Sequence, residues 1–440
     1  MVTLNKSKYW ILAGIFIFIF VGILFIQNEV SFYYRFNSAV KYPFLDYCYG
    51  LLSAIFFTLI ILVFPFRFKR ILFAGWVFRL FIVFIFDLYY EIHYSSLDSP
   101  GYFFHAIYNP VYNFIPAKGS YNVIALLSYM VNFCPSYKLC VVIFSFIGLM
   151  AVYLFWYWLS KMSGSENKLF LLLCMFYPSL AFWGHGIGKD TLILFFTSTY
   201  FGALCCLYRR KIIEALFLLL FSLAGFLFFR IWLIFIMFLS LYLSIIYLGI
   251  ISNKSKLFKI VLSILCGLAI YLTYFVLFKH SDIYLTFIKG FVLDGAQGNS
   301  GQRIFIRSFR EYVFNLPWVL FTTLFRPLFF ESKNIFQFLS GIENTILLIF
   351  FSFSLVRFLM KMMLKNYIAV ISLIHIIVWT LIYGPISCQN LGNAVRFKVQ
   401  IMPFILIFII YAGSGEYISR IYYYVYSLLK KYRHKNVLFG

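Results

Sequence analysis

Long apolar runs dominate the chain, and their lengths are those of membrane-spanning helices. A helix crosses the hydrocarbon of a bilayer in about 20 residues, and within it the backbone must satisfy its own hydrogen bonds. Runs of this uniformity are typical of helices rather than barrel strands. They lie at about 9–26, 46–64, 71–90, 137–159, 169–184, 190–208, 212–229, 231–250, 260–278, 337–356, 367–385 and 399–417. The pattern predicts an all-α polytopic membrane protein of about 12 spans, with residues 1–440 as a single transmembrane domain.

Two long segments separate these runs, at 91–136 and 279–336. Their apolar stretches, at Tyr121–Phe133 and Val313–Phe330, are too short or too interrupted to span, which favours re-entrant or interfacial helices. Elsewhere Pro178 interrupts a predicted span, as helices that line a cavity often are interrupted.

Composition supports the membrane assignment. Hydrophobic residues make up 63% of the chain and charged residues 12%, which excludes a soluble, a disordered or a disulfide-rich secreted protein. The cysteines show no zinc spacing and are interpreted as packing residues. No small-residue cleavage site follows the first run, so we expect a retained span rather than a removed signal peptide.

The basic residues set the predicted topology. The formal net charge is +23, and cytoplasmic loops of membrane proteins collect Lys and Arg, so nucleic acid binding is not needed to explain it. With the N-terminus inside, every predicted cytoplasmic turn is basic, and both termini are cytoplasmic. These basic residues are Arg67, Lys69, Arg70, Lys161, Lys168, Arg209, Arg210, Lys211, Lys254, Lys256, Lys259, Arg357, Lys361, Lys365 and, in the tail, Arg420, Lys430, Lys431, Arg433 and Lys435.

A second group of cations falls on the predicted outer side, where the topology rule does not explain them. They are Arg35, Lys41, Lys118, Lys138, Lys189, Arg230, Lys279, Lys289, Arg303, Arg307, Arg310, Arg326, Lys333, Arg396 and Lys398. Carboxylates are fewer on that side, and a cation near hydrocarbon usually pairs with something anionic. The surplus indicates an anionic partner, and we expect a lipid-linked phosphate or pyrophosphate. The alternative is snorkelling of the same side chains to lipid headgroups.

The segment from Tyr177 to Asp190 joins the fifth and sixth predicted spans and contains three glycines that allow close backbone approach. Lys189 and Asp190 then open a helix whose N-terminus offers free N–H groups to an anion. His185 is a candidate proton acceptor or hydrogen-bond donor. Alternatively, the segment is a tight turn, with Asp190 as N-cap and Lys189 snorkelling.

Further candidates lie in the two long segments, 91–136 and 279–336, which the predicted topology places on the outer side. Asp98 is a candidate base, although Asp before Ser-Pro-Gly is equally a turn former. No DxD is present, so a divalent metal is poorly supported. Arg326 and Glu331 flank an aromatic turn and are candidate ligands, or an ion pair that holds the loop. Arg303 and Arg307 stand at helical spacing with a third arginine, and so form a basic face or coat an interfacial helix.

Arg396 precedes the last span, and we expect it to face one cavity on the outer side together with the candidates named above. Arg79, Asp87 and His375 lie within predicted spans. For these three we favour buried structural pairing with other helices over a functional role.

Four parts of the chain resemble a known family: Pro178–Asp190 (PSLAFWGHGIGKD), Arg230 in FRIW, Leu324–Asn344 (LFRPLFFESKNIFQFLSGIEN), and Arg396 with Pro403. They look like bacterial surface-polysaccharide polymerases, the O-antigen or capsule repeat-unit polymerases of the Wzy type. The chain departs from that pattern in the Gly-His-Gly turn and in the Ile-Trp that follows Arg230.

The resemblance implies a GT-C-like helical bundle in the bacterial inner membrane, with its active site at the periplasmic face. A glycan on undecaprenyl pyrophosphate would be transferred to the next lipid-linked repeat unit without metal or cofactor. The pyrophosphate ligands implied are Lys189, Asp190, Arg230, Arg303, Arg307, Arg326 and Arg396. His185, Asp98 or Glu331 would be the base. The implied partners are lipid-linked oligosaccharides, membrane lipids, a chain-length regulator and a flippase.

Two other functions stay open from the sequence alone. One is a polyprenyl-phosphate-dependent glycosyltransferase that adds a single sugar. The other is a flippase for lipid-linked oligosaccharides, which needs cations through the middle of its cavity. The concentration of cations at the outer face favours the polymerase over the flippase.

Overall fold

In the computed structural model, the described residues are 43–86, 98–251, 309–388 and 390–414, together with residues 40, 90, 267 and 271. The regular elements of these ranges are helices. Numbered along the chain, they are α1 (Pro43–Val63), α2 (Lys69–Phe81, continued by a π-turn over Ile82–Phe86), α3 (Asp98–Tyr108), α4 (Gly119–Phe133), α5 (Tyr137–Ser163), α6 (Lys168–Phe176), α7 (Pro178–Trp183), α8 (Lys189–Tyr208), α9 (Ile212–Phe229), α10 (Trp232–Ile251), α11 (Phe309–Phe314), α12 (Leu316–Phe325), α13 (Ile335–Met360), α14 (Tyr367–Ser387), α15 (Leu391–Lys398) and α16 (Met402–Ile409, continued by a π-turn over Ile410–Ser414).

Among the described residues, six helices are long and apolar enough to cross a membrane: α1, α5, α8, α9, α13 and α14. A seventh span results if α15 and α16, which are bent by 69° at their junction, count as one. The runs at 46–64, 137–159, 190–208, 212–229, 337–356 and 367–385 therefore form the helices that their hydropathy predicts. The runs at 9–26 and 260–278 lie outside the described residues, apart from Gly267 and Tyr271.

The runs at 71–90 and 231–250 form α2 and α10, which are not among these spanning helices. Two further predicted spans are interrupted. The run at 169–184 forms the short helices α6 and α7, because Pro178 lacks the N–H that would continue the first helix and instead occupies the first turn of the second. The last run bends before Pro403, which lies in the first turn of α16. Both interruptions lie near candidate residues.

The long spans divide into central and peripheral helices. α8 packs along α5 and α9, and α14 packs against α10, α12 and α16. α5, α8 and α14 are largely buried, whereas α1, α9 and α13 expose large apolar side chains such as Phe56, Phe217 and Ile349. Apolar surface of this extent suits contact with lipid rather than water.

The bundle has two ends. The end here called the turn end holds the short connections 164–167, 209–211 and 361–366. There the ring of Tyr208 stacks on Tyr367 at 4.4 Å between centroids. The opposite end, called the loop end, holds the start of α8, the end of α9 and the short helices α3, α4, α12 and α15. The stretches predicted as interfacial, Tyr121–Phe133 and Val313–Phe330, contribute to α4, α11 and α12.

Candidate functional site

Asp190 lies in the first turn of α8 but does not cap that helix. The N-cap is Gly188, and no side chain caps the helix there. The Asp190 carboxylate is 4% exposed and turns toward two arginines instead. The interpretation of Asp190 as an N-cap is therefore wrong.

Arg230 and Arg396 share the Asp190 carboxylate. Arg230, the C-cap residue that follows α9, places Nη2 2.7 Å from Oδ1. Arg396, in α15, donates from Nε to Oδ2. Residues far apart in sequence are thus brought to one buried anion, and each arginine is oriented through its guanidinium group.

Asp98 extends this network to the surface. Its Oδ2 lies 2.5 Å from Nη1 of Arg396, and its side chain is 48% exposed while that of Asp190 is 5% exposed. Asp98 is the first residue of α3, so the expected turn is in fact a helix start, with Pro100 tolerated in its first turn. Positive and negative groups alternate from Asp98 through Arg396 and Asp190 to Arg230.

Lys189 reaches the same region through a hydroxyl. Its Nζ donates to Oγ of Ser120 over 2.9 Å, and the Tyr102 hydroxyl lies 3.2 Å from that same oxygen. Gly119 makes this possible, because a Cβ at that position would lie 2.1 Å from the carbonyl oxygen of Phe229. Burial, and then the charge of Asp98, raise the pKa of Tyr102, which keeps its phenol protonated at neutral pH. Asp98, Lys189, Asp190, Arg230 and Arg396 are called the Asp190 cluster below.

Aromatic rings support both arginines of the Asp190 cluster. The Cζ of Arg230 lies 4.4 Å from the ring centroid of Phe397, and that of Arg396 lies 5.7 Å from the ring of Trp183. Such contacts stabilise a guanidinium by about 0.5–1 kcal/mol at exposed sites and by more where water is excluded. In both arginines, the ion pair and the neighbouring ring together fix the plane of the guanidinium group.

The expectation that the outer arginines lack protein counter-ions is wrong for Arg230, Arg326 and Arg396. Each of them forms an ion pair with a carboxylate of the chain. The cause is long-range pairing, which the count of charges by side cannot detect. The Asp190 cluster still combines three cations with two carboxylates, so one positive charge remains in excess.

Arg326 and Glu331 form a separate site in the turn after α12. The Arg326 Nε lies 2.8 and 3.0 Å from the two carboxylate oxygens of Glu331, and its Cζ stands 4.7 Å from the Trp318 ring centroid. Burial would raise the pKa of Glu331, but hydrogen bonds from Arg326 and from the N–H of Leu328 outweigh it and lower the pKa. The alternative of an ion pair that holds the loop is the arrangement observed.

His185 is buried, with 2% of its surface exposed. Its Nδ1 contacts the carbonyl oxygen of Phe182, and its ring lies 5.3 Å from the Phe182 ring. The contacts that define the Asp190 cluster do not include it. Arg303 and Arg307 lie outside the described residues.

Arg79 holds the turn that contains His185 through hydrogen bonds to the backbone of that turn. This residue is fully buried, and its Nη1 donates to the carbonyl oxygens of Gly184 and Ala181 over 2.9 and 3.4 Å. Gly148 permits the contact, since a Cβ there would lie 1.8 Å from the Gly184 oxygen. The buried structural role expected for Arg79 is observed, with carbonyls as partners, and Asp87 lies outside the described residues.

His375 also makes structural contacts. Its Nε2 lies 2.8 Å from the Tyr200 hydroxyl, and its Nδ1 lies 2.7 Å from the Ile371 carbonyl oxygen. Both partners come from helices of the bundle interior, as the interpretation from sequence expects.

Sequence reasoning gave no role to several polar residues that the structure links to these sites: Tyr102, Ser120, Ser179, Glu343, Asn344 and Lys398. Of these, Glu343 and Lys398 carry a detectable signal, a charge next to a predicted span. Among the described residues, no three His, Cys, Asp or Glu side chains converge as metal ligands would. No family model, curated protein or solved structure matches the chain.

Proposed function

We propose that the protein is a glycosyltransferase of the bacterial inner membrane that polymerises lipid-linked repeat units in a GT-C-like bundle of about 12 spans. It transfers a glycan from undecaprenyl pyrophosphate to a hydroxyl of the next lipid-linked repeat unit. The observation that carries the proposal is the sharing of Asp190 by Arg230 and Arg396. A buried carboxylate that orients two guanidinium groups prepares a site for diphosphate.

The orientation follows from the charges of the turn end. Its described cations are Arg67, Lys69, Arg70, Lys161, Lys168, Arg209, Arg210, Lys211, Arg357, Lys361 and Lys365. Lys and Arg collect on the cytoplasmic side of membrane proteins. The loop end, with the Asp190 cluster, therefore faces the periplasm, where lipid-linked repeat units are joined.

The chemistry needs a proton acceptor and fixed positive charge. The acceptor hydroxyl attacks the anomeric carbon of the donor glycan, the bond from that carbon to the pyrophosphate oxygen breaks, and the hydroxyl proton passes to a base. Undecaprenyl pyrophosphate leaves with the bonding electrons. Arginine stays charged at every physiological pH, so Arg230 and Arg396, with Lys189, stabilise the negative charge that develops on the leaving group.

Asp98 fits the base role better than the other two candidates. His185 is buried against Phe182. Glu331 uses both oxygens for Arg326. The Asp98 carboxylate is about half exposed and shares Arg396 with Asp190, so an acceptor hydroxyl can approach it beside the cations.

The proposal is tested in a strain that lacks the gene and carries it back on a plasmid. Arg230→Ala should abolish the glycan ladder and leave a single repeat unit on the lipid carrier and its final acceptor, while the protein still inserts. Removal of one such charge-stabilising donor costs about 10²- to 10³-fold in rate. Lys333→Ala is the matched control, an exposed cation of the same end of the bundle that is expected to keep the ladder.

A normal ladder with Arg230→Ala would refute the role of this arginine. Complete loss of surface glycan in the deletion strain, with no single repeat unit, would favour the flippase or an initiating transferase.

A further inference from the structure

A second set of polar residues lies inside the protein between the two arginine sites. It consists of Glu343 and Asn344 in α13, Ser179 in α7 and Lys398 in α15, and it is called the α13 hub below. All four side chains are buried: their exposed fractions lie between 0% for Lys398 and 9% for Glu343. Burial of a charged or amide group costs free energy unless it is bonded, so each contact of this set calls for an explanation.

Glu343 ties the segment that leads to Lys189 and Asp190 onto α13. Its Oε2 accepts hydrogen bonds from the backbone N–H and from the Oγ of Ser179, over 2.9 and 2.8 Å. Ser179 lies in the first turn of α7, where the N–H groups have no partner within the helix. A carboxylate that accepts two such bonds holds the start of α7 in place.

Asn344 joins the two segments that carry Arg326 and Arg396. Its Nδ2 donates to the carbonyl oxygen of Pro327 over 3.0 Å, and its Oδ1 accepts from the Nζ of Lys398. The same Nζ donates to the carbonyl oxygen of Leu324 over 3.1 Å. One amide and one ammonium thus connect the turn of Arg326 to the short helix that presents Arg396.

The two halves of the α13 hub start from adjacent residues of α13, Glu343 and Asn344. Lys398, which bonds to Asn344, is also near enough to Glu343 for the two side chains to interact electrostatically. Consecutive residues of one helix therefore hold three segments of the loop end, around 178–190, 324–327 and 391–398. These segments carry every described arginine and lysine assigned to the site except Arg230.

From these contacts we infer that Asn344 and Lys398 are positioning residues, which set the distance between the Arg326 turn and the Arg396 helix. Glu343 is a positioning residue for the start of α7. The inference rests on the proposed function for its catalytic meaning. The diphosphate of the donor and that of the acceptor repeat unit are both anionic, and two arginine sites at a fixed separation suit two such headgroups. Displacement of reacting groups by about 1 Å can cost 10²-fold in rate.

Activity and geometry are measured on the same variants in the full-length protein. Asn344→Leu keeps the volume of the side chain and removes both amide contacts. We expect polymerisation to fall by about 10²-fold. Ser354→Ala is the matched control, because Ser354 is a buried polar residue of the same helix whose hydroxyl bonds elsewhere, to Phe350 and Ile409.

A variant of Lys398 separates positioning from folding. Lys398→Met leaves a buried carboxylate without its counter-charge and is expected to lower the amount of inserted protein. The double variant with Glu343→Gln removes both charges and should restore that amount, while polymerisation stays low. Recovery of polymerisation together with the amount of protein would show a purely structural role and overturn the inference.

Distances between spin labels decide the geometry without any assay of glycosyl transfer. Labels are attached through Phe330→Cys and Gly392→Cys, both exposed positions, after Cys48, Cys134 and Cys266 are replaced by serine. The distance distribution should be narrow in the parent protein and broad in Asn344→Leu and in the double variant. An unchanged distribution would overturn the inference even if the protein polymerises glycan. A broadened one supports it even if the proposed function fails.

Discussion

The two ends of the bundle hold similar charges in different ways. At the turn end, Arg67 and Glu166 form an ion pair with side chains 72% and 37% exposed. At the loop end, Arg230 and Asp190 are 10% and 5% exposed. Exposed pairs gain little stability because water and salt screen them, whereas a buried pair depends on every partner. The cations of the turn end thus remain in contact with solvent, whereas those of the loop end are built into a buried network.

The strongest test of this difference is removal of the shared anion. Asp190→Asn keeps the size of the side chain but leaves Arg230 and Arg396 buried without their common carboxylate. We expect a loss of about 3–5 kcal/mol in stability, together with loss of the glycan ladder. Thermal unfolding in detergent micelles and the ladder assay measure the two effects.

Glu214→Gln is the matched change at the turn end, where Glu214 pairs with Lys211 at 2.5 Å with both side chains half exposed. It should leave unfolding and polymer unchanged. Equal effects of the two substitutions would show that the ion pairs of the two ends contribute alike to stability and activity.

Asp98→Asn should separate chemistry from stability within the loop end. Asp98 is about half exposed, so its replacement leaves no fully buried charge without a counter-ion. The temperature of unfolding is therefore expected to change little. Loss of a general base typically slows a reaction by about 10²- to 10⁴-fold. Chain extension of a lipid-linked repeat unit by the purified protein measures the rate, and extension at the parent rate would assign the base elsewhere.

The close backbone contact beneath the site gives a smaller effect. Gly148→Ala would force a methyl group against the carbonyl oxygen of Gly184, and overpacking of this kind costs about 1–3 kcal/mol. Gly101→Ala is the control, because a Cβ there meets nothing within 4 Å. We expect a lowered unfolding temperature and weaker polymerisation only for the first variant. Identical unfolding temperatures of the two variants would mean that the turn accommodates the methyl group without loss of stability.

The sequence predicted much of the class of fold and several members of the site. Apolar runs of spanning length predicted six helices within a few residues, since length and hydropathy are local properties. A cation next to hydrocarbon is costly unless it pairs with an anion, and this rule identified Lys189, Arg230 and Arg396 as candidates. Asp98 was found as a carboxylate of the first outer segment, although its helix was not.

Pairing could not be predicted from the sequence. Asp190 and Arg396 are far apart along the chain, and only the packing of α8 against its neighbours and the bend before α16 bring them together. The turn that contains His185 likewise contacts Arg79 and Gly148, which belong to other helices. A charge count by side therefore overestimated the positive charge left for a ligand.

The smallest expected effect is a difference in pH dependence between the two ends. Despite burial, hydrogen bonds from Arg326 and Leu328 hold the pKa of Glu331 below its usual value. A carboxyl whose pKa is lowered by folding stabilises the protein above its unfolded pKa, and that contribution disappears as the pH falls through the folded pKa.

The unfolding temperature of the protein should therefore drop as the medium is acidified below the ordinary pKa range of glutamate. Glu331→Gln should flatten this slope more than Glu214→Gln, because solvent screens the half-exposed pair of Glu214 with Lys211. Equal slopes in both variants would place the acid sensitivity in other carboxylates and remove this distinction between the ends.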